Sequence, residues 1–75
     1  MESLPIHEQL AMADLYIEQG EWRLHIQEER IRLLRELGKS VEHEEHLVAI
    51  MRDLLETLRV HRALIARTIA GQADL

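Results

Sequence analysis

The sequence predicts an all-α protein: an antiparallel hairpin of two long helices that assembles with further copies into a four-helix bundle. Three observations indicate this class. Helix-forming residues such as Glu, Leu, Arg, Ile and Ala fill the chain between four breakers, Pro5, Gly20, Gly38 and Gly71. Apolar residues recur at alternating spacings of three and four. The chain has 75 residues, of which 47% are hydrophobic, so a single domain over 1–75 is expected.

The first helix is predicted over about residues 5–37. Ser3 suits the N-cap, and Pro5 suits the first helical turn. Gly20 is the one strong breaker inside this helix. A helix that continues through Gly20, straight or kinked, is the prediction, and a break there is the alternative. Gly38 suits the left-handed position that ends a helix.

The second helix is predicted over about residues 41–70. Ser40 suits its N-cap, and the acidic residues that follow suit the positive end of the helix dipole. Gly71 is expected to end it. Because only the short Gly38-Lys39-Ser40 turn separates the two helices, they must lie side by side and antiparallel.

The spacing of apolar residues predicts which sides of the two helices meet. The expected seam of the first helix consists of Leu10, Ala13, Ile17, Gly20, Leu24, Gln27, Ile31 and Leu34. The expected seam of the second helix consists of Leu47, Met51, Leu54, Leu58, His61, Ile65 and Thr68. Val41, Val48, Leu55 and Ile69 are expected beside it. In this register Gly20 allows a close approach where Leu58 packs.

A second apolar row remains on the first helix after the seam is buried. It consists of Leu15, Trp22, Ile26, Leu33 and Leu37, well over 90° around the helix from the seam. A two-helix hairpin cannot cover both rows, and a monomer rarely exposes so much apolar surface. We therefore expect this row to be the interface of a homodimer or higher homo-oligomer, with Trp22 buried between protomers.

Composition excludes several classes of function. The formal net charge is −5, whereas nucleic-acid binding needs a basic surface. No apolar run is long enough for a signal peptide or a membrane span, so no membrane partner is expected. There is no Cys, which excludes thiol chemistry and fits the cytoplasm.

The histidine spacing does not predict a metal site. Di-iron bundles use Glu-x-x-His pairs, and none of the five histidines has a Glu three residues before it. His43 and His46 are three residues apart, whereas the zinc-protease pattern requires four. Because no phosphate-binding glycine loop or activated nucleophile is evident either, we expect no cofactor and no enzymatic activity.

Two polar residues fall on the predicted seam. Gln27 suits a role in fixing register and oligomeric state. His61 is expected to be buried or half-buried, with Glu18 or Glu21 as its hydrogen-bond partner. The alternative is a site for a small molecule or a metal around His61, Gln27 and Glu21.

The chain resembles a group of small uncharacterised proteins of alphaproteobacteria. The resemblance spans about residues 14–67 and rests on the approximate pattern H-I-x-x-G-E-x-R, a Gln, a Gly-centred turn and a late His-Arg. Tyr16 takes the place of the usual His, and Gly20, Gln27, Gly38 and His61 match. The resemblance implies a cytoplasmic bacterial hairpin and no particular activity.

The sequence thus predicts a cytoplasmic homo-oligomer that acts through protein contacts, as a small structural or regulatory interaction module. A small-molecule- or metal-responsive binding protein is the alternative.

Overall fold

The computed structural model describes residues 4–73 and contains two helices. Helix α1 spans Ile6–Glu36 and helix α2 spans Glu42–Ala73. They pack against each other as an antiparallel hairpin, so the predicted all-α hairpin is confirmed. Helix α1 runs unbroken through Gly20. Ser3, the predicted N-cap, lies outside the described residues, and Pro5 directly precedes the helix.

The end of α1 is fixed by hydrogen bonds around Gly38. The amide of Gly38 donates to the carbonyl of Arg35, and the amide of Lys39 donates to the carbonyl of Leu34. These two bonds form a Schellman motif, which requires a left-handed residue after the last helical turn. Gly38 supplies it with a φ of 71°, as the sequence predicted.

Helix α2 differs from its predicted bounds at both ends. It begins at Glu42, with the carbonyl of Val41 accepting from the amide of Glu45. Its first turn contains Glu42, Glu44 and Glu45, whose negative charges stabilise the helix by interacting with the positive end of its dipole. At the other end the helix continues through Gly71 to Ala73. The prediction that Gly71 ends α2 was wrong, because Gly71 is helical here and, among residues 4–73, only Gly38 has a positive φ.

The seam of α1 is the one that the sequence predicts. All eight residues are buried or half-buried, with Ala13 and Ile31 the most enclosed. In heptad notation, Leu10, Ile17, Leu24 and Ile31 occupy position a, and Ala13, Gly20, Gln27 and Leu34 occupy position d.

The seam of α2 is rotated from the predicted one. Met51, Leu58 and Ile65 lie in the seam as expected, at position d together with Glu44. Position a is held by Val41, Val48, Leu55, Arg62 and Ile69, all of them buried or half-buried. Leu47, Leu54, His61 and Thr68, which the prediction placed there, are one residue away and exposed. The observed rotation brings the arginines of α2 beside the carboxylates of α1, which the predicted rotation does not.

The closest approach of the two helices is at Gly20. A Cβ atom built on Gly20 would stand 2.8 Å from Cδ2 of Leu55, closer than side-chain atoms normally approach. Leu55 is the most enclosed large side chain of the described residues, at 2% exposure. Gly20 therefore makes room for Leu55, whereas the sequence placed Leu58 opposite it.

Candidate functional site

The hairpin has two broad faces of opposite chemistry. In an antiparallel pair of helices, the e positions of both helices flank the seam on one side and the g positions flank it on the other. We call the side with the e positions the charged face. We call the side with the g positions, together with the neighbouring c positions, the apolar face.

The charged face is crossed by four ion pairs between α1 and α2. Each involves an arginine and a carboxylate at half-exposed positions: Asp14 with Arg62, Glu21 with Arg59 at 3.4 Å, Glu28 with Arg52 at 3.0 Å, and Arg35 with Glu45. The α1 members recur every seven residues. On α2, Arg62 supplies the last pair from position a because Ala66 occupies the e position. In this ladder of ion pairs, each arginine on one helix is paired with a carboxylate on the other helix.

The ladder reverses polarity at the pair nearest the turn. There the arginine, Arg35, is on α1 and the carboxylate, Glu45, is on α2. If α2 slipped by one heptad in one direction, Arg35 would face Arg52. A slip in the other direction would place Glu45 opposite Glu28. The reversal therefore penalises both slips by like-charge repulsion.

A smaller charged cluster lies on the outer side of α1. Arg32 pairs with Glu29 at 2.9 Å and with Glu36 at 2.8 Å. The hydrogen bonds that Arg32 donates to Glu29, the charge of Glu29 and then the charge of Glu36 raise the pKa of the Arg32 guanidinium. Arginine is charged across the physiological range in any case, so the cluster acts as a solvated ion-pair network.

The apolar face contains most of the exposed large hydrophobic residues. Eight of them occupy c or g positions: Tyr16, Ile26, Leu33 and Leu37 on α1, and Leu47, Ile50, Leu54 and Leu64 on α2. No Asp or Glu between residues 4 and 73 stands at a c or g position. The charged residues of this face are Arg23 and Arg30, and Arg30 reaches Glu44 at 4.0 Å.

The predicted interface row lies at the α1 edge of this face. All five of its members are exposed in the hairpin: Leu15, Trp22, Ile26, Leu33 and Leu37, with Trp22 at 63%. Trp22 and Leu15 occupy f positions beside the face, and Ile26, Leu33 and Leu37 belong to it. Trp22 also lies 5.9 Å, ring to ring, from His25. Helix α2 covers none of this row.

The two polar residues predicted in the seam have different surroundings. Gln27 is half-buried at position d of α1, inside the seam. His61 is exposed at position g of α2, at the end of the apolar face that lies farther from the turn. There it borders an open concavity that also touches Tyr16 and Leu58.

The residues of the alternative binding site are not gathered in one place. Glu21 pairs with Arg59 on the charged face, while His61 lies on the opposite face and Gln27 lies between the helices. Among residues 4–73, no group of three or more His, Asp or Glu side chains is placed to hold a metal ion. The described part of the chain therefore offers no convergent polar site around His61.

The sequence reasoning missed the row on α2. Leu47, Ile50 and Leu54 were available as a signal, because they repeat at spacings of three and four, and Leu64 follows ten residues later on the same side of the helix. The prediction places Leu47 and Leu54 in the seam and expects Val41, Val48, Leu55 and Ile69 beside it, which is the reverse of the observed arrangement. The observed rotation of α2 places this row roughly 100° around the helix from the seam.

Comparisons with known proteins add no relative to this description. No family model, no curated protein and no solved structure matches the chain. Within residues 4–73, neither helix has an apolar stretch long enough to cross a bilayer.

Proposed function

We propose that this chain is a cytoplasmic homo-oligomeric module that acts through protein contacts, in a structural or regulatory role, and not through catalysis. Its working unit is a four-helix bundle formed by two hairpins. The face that associates contains the row Leu15, Trp22, Ile26, Leu33 and Leu37, and the partner copy presents the same face. The affinity for nucleic acid is negligible, and the module needs neither a metal nor a membrane.

The observation that carries this proposal is the imbalance between buried and exposed apolar residues. Only five residues among 4–73 are buried: Ala13, Ile31, Val48, Leu55 and Ile65. Twelve large hydrophobic residues of the same region are exposed, eight of them on one face. A core of five residues is small for a chain of this length, because small domains bury too little surface to offset the entropy of folding. Association of two hairpins buries the exposed hydrophobic residues that a single hairpin leaves in water.

Trp22 is proposed as the anchor of the interface. It is the only Trp of the chain and the most exposed large hydrophobic residue within either helix. An indole buries more surface than any aliphatic side chain, and aromatic anchors often contribute 2 kcal/mol or more to binding when buried centrally. Neighbouring Ile26 and Leu33 form an open concavity with Trp22 that a side chain from a second copy can enter.

Sedimentation tests the proposal. We expect the natural chain to sediment as an oligomer at tens of micromolar, and Trp22→Ala to shift it toward monomer. Glu56→Ala is the matched control, because Glu56 is exposed on α2 away from the apolar face and has no ion pair within the described residues.

The fluorescence of Trp22 gives a second readout. Because no other Trp contributes, its emission maximum should move to shorter wavelength as the protein concentration rises and the indole leaves water. A natural chain that stays monomeric at tens of micromolar contradicts the proposed function. An oligomer that tolerates Trp22→Ala contradicts only the anchor.

A further inference from the structure

The f positions form one row along the outer edge of each helix, and the two rows are complementary in charge and polarity. On α1 the row reads Glu8, Leu15, Trp22, Glu29 and Glu36; on α2 it reads His46, Asp53, Val60 and Arg67. Val60 is 52% exposed and is the one large hydrophobic residue of the α2 row. Trp22 and Leu15 are the hydrophobic residues of the α1 row.

The observed ion pairs fix the heights of these residues along the hairpin. Glu8 lies six residues before Asp14, and Arg67 lies five residues after Arg62, the ion-pair partner of Asp14. At about 1.5 Å per residue, Glu8 and Arg67 are level to within about 2 Å. In the same register, Leu15 lies one residue after Asp14 and Val60 lies two residues before Arg62, so Leu15 and Val60 are also level to within about 2 Å. Trp22 is level with Asp53, and Val60 lies about two turns farther from the hairpin turn.

Within one hairpin these matched residues cannot meet. The two rows run along opposite edges, with the width of both helices between them. Consistent with this, neither Glu8 nor Arg67 has an ion-pair partner among residues 4–73. Both are charged side chains left unpaired at the same height.

We propose that the occupant of the apolar face is a second copy of this chain, stacked with both turns at the same end. This inference rests on the proposed function and specifies its geometry. The two-fold axis then runs parallel to the helices, so that α1 of each copy packs against α2 of the other. Every pair of neighbouring helices in this bundle is antiparallel, which also opposes their dipoles.

This arrangement joins the complementary edges. Glu8 meets the partner's Arg67, and Leu15 meets the partner's Val60. Trp22 lies beside the partner's Asp53, between that residue and the partner's Val60. At the turn end, Glu29 and Glu36 lie on either side of the partner's His46. The charged faces with their ladders remain on the outside of the bundle, where their half-exposed ion pairs stay hydrated.

The opposite arrangement, with the turns at opposite ends, places like charges together. It packs α1 on α1 and α2 on α2, each pair antiparallel about its midpoint. Glu8 then lies near the partner's Glu36. Arg23, on the apolar face close to the midpoint of α1, would face the partner's Arg23. Repulsion of this kind selects against a binding mode.

The face is large enough for a stable dimer. The hairpin measures 59 Å in length and 17 Å across its smallest extent. A strip of these dimensions covers about 1,000 Å², compared with about 800 Å² per partner in an interface of standard size. With eight exposed large hydrophobic residues on this face, a second copy has enough apolar contact to form a stable dimer.

Distance measurement between the two turns tests the geometry. Lys39 lies in the turn, outside both faces, and the chain has no natural Cys. A spin label attached to Lys39→Cys can therefore be placed once per copy, with sedimentation confirming that the oligomer is retained. We expect a distance below about 30 Å between labels, because helices of neighbouring hairpins pack about 10 Å apart. Turns at opposite ends would separate the labels by nearly the 59 Å length of the hairpin.

Disulfide trapping provides the second measurement. When Glu8→Cys and Arg67→Cys chains are mixed and oxidised, we expect the mixed disulfide to dominate over both homodimers. Dominant self-linking of Trp22→Cys would instead indicate α1 packed on α1.

The outcomes separate the two proposals. An oligomer that lacks any inter-label distance below about 30 Å overturns this geometry and leaves the proposed function standing. A chain that is monomeric throughout overturns both.

Discussion

Gly20 lacks a side chain at the point where Leu55 is most deeply buried. Replacing Gly by Ala inside a helix normally stabilises it by about 1 kcal/mol. Here the added Cβ would stand 2.8 Å from Cδ2 of Leu55, so Leu55 would have to move within a well-packed seam. Overpacking of this kind typically costs about 1–3 kcal/mol. The steric effect should therefore outweigh the gain in helix propensity.

We expect Gly20→Ala to lower the free energy of unfolding by about 1 kcal/mol in urea denaturation at fixed protein concentration. In a Leu55→Ala background the same change should raise it, since the clash is gone. Gly71→Ala is the control, because Gly71 is helical with nothing within 4 Å of its position. Equal stabilisation by Gly20→Ala and Gly71→Ala would show that the close approach costs nothing.

Single residues were predictable where local chemistry decides them. The positive φ of Gly38 follows from the need to end α1 before a short turn. The partner of Gly20 was not predictable in this way. It depends on how α2 is rotated about its axis, and the sequence placed Leu58 there instead of Leu55.

The ladder of ion pairs is the feature that orients α2. Its side chains are about half exposed, so each pair is worth only about 0.2–1 kcal/mol. The pairs nevertheless distinguish the observed rotation from the predicted one, in which Arg52 and Arg59 do not flank the seam. Together with the more apolar row at position a, the pairs favour Val48 and Leu55 over Leu47 and Leu54 in the seam.

We expect Glu28→Arg to lower the free energy of unfolding by about 0.5–1 kcal/mol, because it places two arginines side by side. Arg52→Glu should have a similar effect, and the double change Glu28→Arg with Arg52→Glu should restore most of the loss. The differences should shrink in 1 M salt, which screens exposed charges. Glu56→Arg serves as the control with no opposing charge. A double variant no more stable than the single ones would show that this pair does not contribute.

At the scale of helices, the sequence predicted both elements, the turn and the α1 seam. The α1 seam was unambiguous because its a and d positions are flanked by Glu and Arg. In α2 both rows beside position d contain apolar residues, four of five at position a and two of four at position g, and the prediction chose the row at position g. Charge pairing with α1 contains the missing information, but it can be used only once the helices are placed side by side.

The whole molecule is an amphipathic layer with one charged face and one apolar face. Sequence reasoning predicted the surplus of apolar surface and its α1 members, including Trp22. The α2 members were missed, because Leu47 and Leu54 had been assigned to the interior of the hairpin. Correcting that rotation turns two separate helix rows into one continuous face.

We expect Leu54→Glu to leave the hairpin helical, since Leu54 is 58% exposed in the single chain. Its dissociation constant should nevertheless rise at least tenfold, equivalent to about 1.4 kcal/mol, because a carboxylate would enter an apolar interface. Sedimentation over a range of concentrations measures the shift. Ala49→Glu adds the same charge on the outer side of α2 and should change little. Equal weakening by both variants would point to net charge instead of the apolar face.

The spacing of the ladder has a further consequence for the order in which the hairpin folds. The pairs Arg35–Glu45, Glu28–Arg52, Glu21–Arg59 and Asp14–Arg62 join residues separated by 10, 24, 38 and 48 positions. Loop-closure entropy makes the shortest of these the easiest to form first. Once one pair has formed, the next pair has a shorter loop to close. We therefore expect the two helices to associate progressively, beginning at the turn around Gly38. In this order Asp14 and Arg62 pair last, and the helices separate first at this end when the hairpin unfolds locally.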